Sequence, residues 1–451
     1  MKTVFFISQE KPLINLKKYG YLEKFLRTDF LVLTTEEIAS KYKFSNNVIV
    51  FKSSWTNEEW VTFLDYLYIK NFITTYRKTL NISLRTRLFG PYKLNSIKRI
   101  TFSFKYFIKF WQKINFALIY QMRHLKPDDL LIKLRDKNIL GPGDSKKIMS
   151  LLANQNIQKA IVFTTFNDPI LYDFVSVCKD LGIFTTALPD CWDNISTSLA
   201  IPEYINKICL WSEQQSGEVK KFYPSLFAKT EIYGSYRINK KSRILLNSKP
   251  KTEYFNILYL ESSLYEDREF AIRKIAKSIS ESQSSNDSIK KIKFTIRQYP
   301  GYRPTEPGLS TDLGFLESFK IGEWQFQIVI SKNGFLKEDF ASADIVFSEL
   351  TTAGLEAAFE KLPIIFVGSN KSPRYLTTYK AFQFSFGKDL LEDFVVLDLG
   401  LKSSLHILTN LFDQLFRFKQ DNYANTYQNR FGSRKLSFYA EEFNFRKWEL
   451  N

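Results

Sequence analysis

Cysteine and histidine are scarce in this sequence: among 451 residues there are three cysteines and two histidines. The cysteines, Cys178, Cys191 and Cys209, are odd in number and lack the spacing of a metal site. A disulfide framework is therefore not expected, whereas a reducing compartment such as the cytoplasm is. Neither His124 nor His406 follows a predicted strand, where an open α/β sheet binds its ligands, so both are expected to be structural or solvated.

Several motifs that would identify common enzyme classes are absent. No Gly-x-Gly-x-x-Gly follows the first predicted strand and no Walker motif occurs, which argues against a dinucleotide dehydrogenase and an ATPase. No Asp-x-Asp pair is placed to bind Mg²⁺ and there is no Cys/His cluster, so no metal ion is expected. No cofactor is expected either. No uninterrupted apolar stretch approaches about 18 residues, so no segment is expected to span a membrane.

Acidic residues are missing from one long interval in which basic residues are concentrated. Between Asp65 and Asp128 there are thirteen Lys and Arg residues and no Asp or Glu, in a chain of net charge +17. Segment 97–116 spaces lysines at roughly helical intervals among apolar residues: Lys98, Lys105, Lys109 and Lys113, with Phe104, Phe107, Ile108, Trp111 and Ile114. Such a helix favours an anionic membrane surface as its partner, and an ordinary packed helix with a solvated face is the alternative. Nucleic acid is not expected, because no RNP, KH, zinc-finger or helix-turn-helix signature accompanies the charge.

Strand and helix patterns alternate through both halves of the chain. Apolar runs such as Thr3–Ile7, Phe30–Thr34 and Phe255–Leu260 predict buried strands, and a helix is predicted near 16–27. The alternation predicts an α/β fold with two parallel, doubly wound, Rossmann-like sheets. The predicted parts are a first domain at 1–237 with a helical insertion at about 77–127, a linker at 238–252, a second domain at 253–415, and C-terminal helices at 416–451 that cross back to the first domain.

Segment 341–368 carries the strongest functional pattern. A short buried strand, Ile345–Phe347, precedes a hydroxyl-rich turn, a helix and a second apolar strand. The N–H groups and the positive dipole end of such a helix form an anion site beyond the carboxyl end of the strand. The residues expected there are the hydroxyl donors Ser348, Thr351 and Thr352, then Gly354, which lets a phosphate approach the backbone, and Glu356, which accepts from a ribose or sugar hydroxyl. The alternative is an ordinary N-cap of a crossover helix.

Two further strand ends in the second half could contribute donors to an anion. Ser262 and Ser263 follow the predicted strand at 255–260, where they either bind the same phosphate or cap a loop. Arg297 ends the predicted strand Lys293–Arg297. Its guanidinium either pairs with a phosphate in bidentate fashion or forms a salt bridge at the strand end.

In the first half, polar turns follow two predicted strands. The turn Thr164–Asp168 follows one strand, and the turn Leu188–Ser198 follows the next. The second turn brings two carboxylates, a Trp, an Asn and hydroxyl groups together. The substrate-binding candidates from the two turns are Trp192, Asn194, Thr197 and Asn167. The alternative is an Asx-turn with a surface Trp.

Taken in order, these motifs resemble the GT-B glycosyltransferases, in particular bacterial proteins of capsule and lipopolysaccharide biosynthesis. The resemblance covers about residues 160–237 and 255–368. It rests on the turn Pro189-Asp-Cys-Trp-Asp-Asn-Ile-Ser-Thr197, the strand ending Trp211-Ser-Glu213, the exit Gly234-Ser-Tyr-Arg237 and the Ser/Thr turn at 348–354. Ser198 and Leu199 stand where many relatives have a basic residue, and Tyr299 stands where they have His before Pro. The resemblance implies a GT-B fold, in which two Rossmann-like domains face a central cleft.

The resemblance also implies an activity. A sugar would pass from a nucleotide-sugar, without a metal ion, to a lipid-linked glycan acceptor at the cytoplasmic face of a bacterial membrane, in surface polysaccharide assembly. An inverting transferase needs a base that takes a proton from the acceptor hydroxyl. Because neither histidine follows a strand, the base is expected to be a carboxylate, with Asp193 the first candidate, then Asp190 and Asp168. A retaining mechanism needs no such base and stays open.

Three other functions are compatible with the sequence. A polyol-phosphate transferase with a CDP-linked donor and a sugar-nucleotide 2-epimerase have a similar fold, although an epimerase has little use for a membrane-binding helix. The third is a non-catalytic basic module that binds a membrane or nucleic acid. That module would tolerate the loss of Ser348, Thr351 and Glu356, whereas a transferase would not.

Overall fold

The computed structural model shows two compact units. It describes residues 2–25, 30–44, 47–55, 143–164, 168–197, 201–238, 253–262, 268–282, 290–299, 318–370, 379, 382, 385–417, 436–439, 442–444 and 447–448. The predicted basic helix at 97–116, Asn167 and Ser263 lie outside these ranges. The first unit contains the described residues up to Ile238 and from Ser437 onward, and the second contains those from Glu253 to Leu436.

Among the described residues, the first unit has a sheet of seven strands in the order β3-β2-β1-β4-β5-β6-β7. The strands are β1 (Lys2–Ile7), β2 (Leu31–Thr35), β3 (Asn47–Phe51), β4 (Ile157–Thr164), β5 (Phe184–Pro189), β6 (Lys207–Leu210) and β7 (Thr230–Ile232). All neighbours in this sheet are parallel. The chain builds outward from β1 to β3 and resumes at β4 on the other side of β1, which is the doubly wound order of a Rossmann-like sheet.

Among the residues that the structure describes, helices connect the strands of the first unit. They are α1 (Glu10–Lys18), α2 (Leu22–Phe25), α3 (Glu36–Lys41), α4 (Ser145–Leu152), α5 (Pro169–Asp180), α6 (Asn194–Thr197) and α7 (Glu213–Phe222), with a 3₁₀ helix at Pro224–Lys229. The single helix predicted near 16–27 is wrong, because Gly20 adopts a φ of +71° and ends α1. The Gly20 N–H donates to the Lys17 carbonyl at 3.1 Å and the Tyr21 N–H to the Leu16 carbonyl at 2.8 Å. These two bonds form a Schellman stop, for which glycine is the preferred residue.

The central strand β1 is buried on both faces. Val4 and Phe6 pack in one apolar cluster, in which the Phe6 ring stacks on Phe174 of α5 at 4.1 Å between centroids. Phe5 and Ile7 pack in a second cluster on the opposite face. Because helices cover both faces of a parallel sheet, its strands have unbroken apolar runs rather than alternating patterns.

Among the described residues, the second unit also has a sheet of seven strands, in the order β10-β11-β9-β8-β12-β13-β14. The strands are β8 (Phe255–Leu260), β9 (Lys291–Arg297), β10 (Ser318–Ile321), β11 (Trp324–Ile330), β12 (Ile345–Ser348), β13 (Ile364–Gly368) and β14 (Val396–Asp398). The edge strand β10 is antiparallel to β11, and the other neighbours are parallel. The predicted α/β fold with two Rossmann-like sheets is therefore confirmed.

Five helices in the described part of the second unit accompany this sheet. They are α8 (Arg268–Ser280), α9 (Leu336–Ser342), α10 (Thr352–Phe359), α11 (Ser385–Asp393) and α12 (Lys402–Arg417). Ile272 and Ile275 of α8 and Leu408 and Phe412 of α12 are buried in one cluster with alternate residues of the central strands, such as Phe347.

A short helix, α13 (Leu436–Tyr439), leads to a C-terminal segment that packs on the first unit. Glu442 forms a parallel bridge with Ser235. The Phe443 ring lies 5.2 Å from the Phe25 ring in an edge contact. The Asn444 N–H donates to the Tyr233 carbonyl at 2.7 Å. The end of the chain is therefore part of the core of the unit with which the chain begins.

Candidate functional site

The candidate site of the second unit lies where the order of the strands reverses. The chain runs outward from β8 to β9 and β11, and then resumes at β12 on the other side of β8. Leu260 at the end of β8 pairs with Ser348 at the end of β12. The segments that leave these two strands therefore border one crevice at the carboxyl edge, the position at which open α/β sheets bind ligands.

Glu349 occupies this edge, and it was not among the residues predicted from the sequence. Its carboxylate accepts hydrogen bonds from the Ser262 N–H at 2.9 Å, the Ser262 hydroxyl at 2.6 Å and the Tyr259 hydroxyl at 3.0 Å. Glu349 is only 4% exposed. Burial raises its pKa to about 7, and the hydrogen bonds from Ser262 oppose this shift. An acidic residue directly after the last strand residue, Ser348, was the only sequence signal that could have identified it.

The predicted helix start follows β12 closely. Thr351 is the N-cap of α10, and its hydroxyl oxygen accepts from the Gly354 N–H at 3.2 Å. Thr352 is the first helical residue. The N–H groups of the first helical turn have no partner within the helix, and the dipole places partial positive charge at the same end. The local geometry is thus that of an N-cap, in which Thr351 already engages the Gly354 N–H.

Ser348 and Gly354 are explained by packing. Ser348 is fully buried, and its hydroxyl donates to the Glu349 carbonyl at 2.7 Å. A Cβ on Gly354 would lie 2.5 Å from Ser348 Oγ and 2.6 Å from Phe366 Cε1. Glycine is therefore needed for α10 to pack against β12 and β13, a different reason from the predicted approach of a phosphate. Glu356, further along α10, is also buried.

Arg297 makes the salt bridge that the sequence left as the alternative to a phosphate contact. Its Nη1 lies 3.2 Å from the Asp339 carboxylate and 3.3 Å from the Ser331 hydroxyl. It also donates to the carbonyls of Asn333 and Gly334. These contacts fasten the end of β9 to the loop that follows β11 and to α9.

A second buried acid, Glu261, adjoins the crevice. It follows β8 directly, is 4% exposed, and pairs with the guanidinium of Arg268 at the start of α8. Its Oε2 atom is buried and has no hydrogen-bond partner within the part of the chain that the structure describes. Two buried carboxyl groups, Glu261 and Glu349, therefore lie at this edge, and Glu261 pairs with a guanidinium.

In the first unit the strand order reverses between β1 and β4, and Asp168 lies beside that point. Ser8, directly after β1, donates its hydroxyl to the Asp168 carboxylate. Asp168 also caps α5 by accepting from the Ile170 N–H at 2.9 Å. It is 1% exposed, and burial raises its pKa to about 6. Helix capping accounts for this aspartate at the end of the predicted turn.

Asp190 is the centre of a buried polar network after β5. Its carboxylate accepts from the Asn15 amide at 2.9 and 3.1 Å and from the Tyr236 hydroxyl at 2.5 Å. Lys11 Nζ lies 3.7 Å away. Asp190 is fully buried, so these contacts supply the partners that a buried carboxylate requires. The network joins α1, the turn after β5 and the segment after β7.

The other predicted residues of this turn differ in exposure. Trp192 is 1% exposed, so its ring packs inside the unit and is not the surface Trp of the alternative interpretation. Asn194 accepts from the Cys191 N–H at 2.8 Å, which holds the turn closed. Asp193, between them, is half-buried, and Thr197 is the last residue of α6.

Two cations that were not predicted lie beside the same turn. Lys11 Nζ is 3.3 Å and Arg237 Nη1 is 3.5 Å from Cys191 Sγ. The Arg237 guanidinium lies 5.8 Å from the Tyr19 ring and 6.0 Å from the Trp211 ring. Burial raises the pKa of the Cys191 thiol to about 12. These side chains come from the segments after β1, β5 and β7, which is why their proximity is not visible as a sequence motif.

The residues that the structure describes contain neither a membrane-spanning helix nor a metal-binding cluster. No helix in the described ranges combines the length and the apolar character that crossing a membrane requires. Within the same ranges, no group of three or more His, Cys, Asp and Glu residues could hold a metal ion.

Among known proteins, this chain is similar to several solved structures. No family model and no curated protein matches the chain. The UDP-GlcNAc 2-epimerase of Methanocaldococcus jannaschii is similar at 11% identity and a TM-score of 0.48, over 100% of both chains. MurG of Acinetobacter baumannii is similar at 9% identity and 0.46, over 95% of this chain and 94% of that one. The lipopolysaccharide outer core galactosyltransferase WaaB is similar at 9% identity and 0.45, over 97% of both. Both a galactosyltransferase and a 2-epimerase are thus among the structures that this chain resembles.

Proposed function

We propose that this chain is a GT-B glycosyltransferase that transfers a sugar from a nucleotide-sugar donor without a metal ion. The observation that supports it most is the crevice of the second unit, where the segment after β8 and the N-cap turn of α10 meet at the reversal of strand order. A helix start at this place offers N–H donors and partial positive charge to a phosphate. Because these groups are already in position, they stabilise the leaving nucleotide without reorganisation.

The second unit is proposed to bind the donor. Its phosphate would lie against the first turn of α10, with the hydroxyls of Thr351 and Thr352, and Glu356 would accept from a ribose or sugar hydroxyl. Ser262 and Ser263 complete the proposed donor set, and Arg297 supports it through its salt bridge with Asp339. Ser348 and Gly354 support the site through the close packing of α10 on β12.

The first unit is proposed to bind the acceptor. Asp193 is the proposed base, because it is half-buried, whereas Asp190 and Asp168 are buried and engaged by several donors. Those two carboxylates are proposed to position the turns around the acceptor. Asn194, Thr197 and Asn167 are the proposed acceptor contacts, and Trp192 supports the turn from inside the unit.

The acceptor is proposed to be a lipid-linked glycan of bacterial surface polysaccharide assembly. The support is the sequence of segment 97–116, whose lysines and aromatic residues suit an anionic lipid surface. We place the protein in the cytoplasm, on the inner face of the membrane. Vesicles of anionic and of neutral lipid test this: binding to the anionic vesicles alone, weakened by salt, is expected.

A thermal-shift screen of the full-length chain against CMP, CDP, UDP, GDP and dTDP tests the donor site. A ligand that binds only the folded state stabilises it by about 2.7 kcal/mol at a concentration a hundredfold above its Kd. One nucleotide is expected to raise the unfolding midpoint of the wild type and to lose this effect in Thr351→Ala/Thr352→Ala. Thr409→Ala, which removes a hydroxyl from α12 of the same unit, is the matched control and should respond like the wild type.

The products then identify the reaction. With the nucleotide-sugar that binds, transfer to an acceptor extract from bacterial membranes is expected, with release of the nucleotide. If no nucleotide stabilises the wild type, the donor site is refuted. Conversion of the sugar to its C-2 epimer without any acceptor would replace the transferase with an epimerase.

A further inference from the structure

Glu349 connects the two segments that border the crevice of the second unit. The N–H and the hydroxyl of Ser262 both donate to Glu349 Oε2, at 2.9 and 2.6 Å. Glu349 Oε1 accepts from the Tyr259 hydroxyl of β8 at 3.0 Å, and the Glu349 N–H donates to the Leu260 carbonyl at 3.0 Å. Main chain and side chain together hold the segment after β8 against the turn after β12.

We propose that Glu349 is a positioning residue for the donor phosphate and takes up a proton when the phosphate binds. The inference rests on the proposed function, because it needs a phosphate at the start of α10. Glu349 lies two residues before the N-cap Thr351, so a phosphate bound there would be its neighbour. The same carboxyl group sets the direction of Ser262, which is one of the proposed donor contacts.

The groups that face Glu349 explain why its carboxyl group can be protonated near neutral pH. They are the hydroxyls of Tyr259 and Ser262, from β8 and the segment after it, and the carboxyl group of Glu261. Arg268 of α8 pairs with Glu261. Glu349 itself has hydrogen bonds but makes no ion pair within the described residues. Its charge is therefore held by neutral donors in a buried place, and burial raises its pKa to about 7.

A phosphate brings further negative charge beside this carboxyl group, so its binding favours the protonated form of Glu349. Below the pKa of Glu349 in the free protein, the carboxyl group is already protonated, so the affinity for phosphate does not change with pH through this group. Affinity falls as the pH rises through that pKa, towards tenfold per pH unit when one proton is taken up. For Glu349 the fall is expected to begin near pH 7.

Isothermal titration calorimetry of the full-length chain between pH 6 and 9 tests the inference, with UDP and inorganic pyrophosphate as probes. Buffers of different ionisation enthalpy report the protons taken up. At pH 8 the wild type is expected to take up close to one proton more than Glu349→Gln. Its affinity should fall by up to tenfold per pH unit relative to that variant. The comparison cancels the titration of the probe, which is the same for both proteins.

Two further variants complete the experiment. Glu338→Gln removes an exposed acid from α9 of the same unit and is expected to match the wild type. Tyr259→Phe removes one hydrogen bond to the Glu349 carboxylate, so it should raise the pKa of Glu349 and shift the fall in affinity to higher pH. This variant keeps the carboxyl group and provides the test if Glu349→Gln does not fold.

The outcomes separate the inference from the proposed function. If UDP binds but the wild type and Glu349→Gln show the same pH dependence and proton uptake, the inference is overturned and the donor site stands. If pyrophosphate alone binds, with a pH dependence that needs Glu349, the inference stands and the nucleotide-sugar function does not. If neither probe binds the wild type, both are overturned.

Discussion

Replacing Gly354 by alanine tests the packing that places the start of α10. Gly354 is the third residue of the helix, directly over β12 and β13. An added Cβ would lie 2.5 Å from Ser348 Oγ, 2.6 Å from Phe366 Cε1 and 3.0 Å from Ser348 Cβ. Ordinary contacts begin at 3.4 Å, so α10 or its neighbours must move by most of an ångström.

Two opposing effects determine the size of the change in stability. Alanine is better than glycine in a helix by about 1 kcal/mol, through helix propensity and the lower entropy of the unfolded chain. Forcing an extra methyl group into a packed core typically costs about 1–3 kcal/mol. Ser348 and Phe366, which the added Cβ would meet, are both fully buried. The Phe366 ring also packs against Phe382 and Phe394, so the upper part of that range applies. We expect a net loss of about 1–2 kcal/mol.

Gly217 provides the matched control. It lies inside α7, and a Cβ there would meet nothing within 4 Å. Gly217→Ala should therefore stabilise the protein by about 0.5–1 kcal/mol, the opposite sign to Gly354→Ala. The midpoints of urea unfolding, followed by circular dichroism, compare the two variants with the wild type. Midpoints are suitable because a chain with two units does not have to unfold in a single transition.

The ligand response gives a second measure of the same change. Movement of α10 displaces Thr351 and the first-turn N–H groups, so Gly354→Ala should weaken the nucleotide response of the thermal-shift screen while Gly217→Ala leaves it intact. A Gly354→Ala protein as stable as Gly217→Ala would refute the close packing of α10 on Ser348 and Phe366.

Three further predictions concern buried titratable groups. Glu349→Gln should raise the free energy of unfolding at pH 8 by up to about 3 kcal/mol, and the gain should vanish below about pH 4. The pKa of this carboxyl group is raised from 4.5 to about 7 in the folded state, so the wild type loses stability as the pH rises through that window. Denaturant titrations at both pH values measure the gain, and equal gains would contradict the prediction. Asp168→Ala should cost about 1 kcal/mol more than Asp168→Asn at pH 5, because only Asn can replace the cap of α5, and equal midpoints would refute the cap. Iodoacetamide at pH 8 should leave the native thiols of Cys178, Cys191 and Cys209 unmodified, since burial raises the pKa of each to about 12; mass spectrometry showing label before unfolding would contradict this.

The strands could be predicted because their signal is local. The run from Val4 to Ile7 is apolar at every position, and the structure buries all four residues against clusters on both faces of the sheet. The N-cap at Thr351 was also visible, since a hydroxyl before an apolar helix is a short-range pattern. The helix predicted near 16–27 is wrong because Gly20 has a positive φ and ends α1.

The candidate site was less accessible to such reasoning. Glu349 binds Ser262 and Tyr259, which precede it by 87 and 90 residues, so no spacing rule brings them together. Trp192 was expected to face a ligand because it follows a strand, but its ring is buried, with 1% exposed. Lys11 and Arg237 approach Cys191 from opposite ends of the first unit's sequence.

The sequence by itself determined most of the strands, their alternation with helices, and where polar turns follow strand ends. These properties depend on side chains within a few residues of each other. Only the tertiary structure decided that Glu349 shares the carboxyl edge with Ser262, that Gly354 is needed for packing, and that Asp190 is enclosed by a network. Burial, pKa and close contact depend on neighbours from distant segments, which are defined only once the strand order brings those segments together.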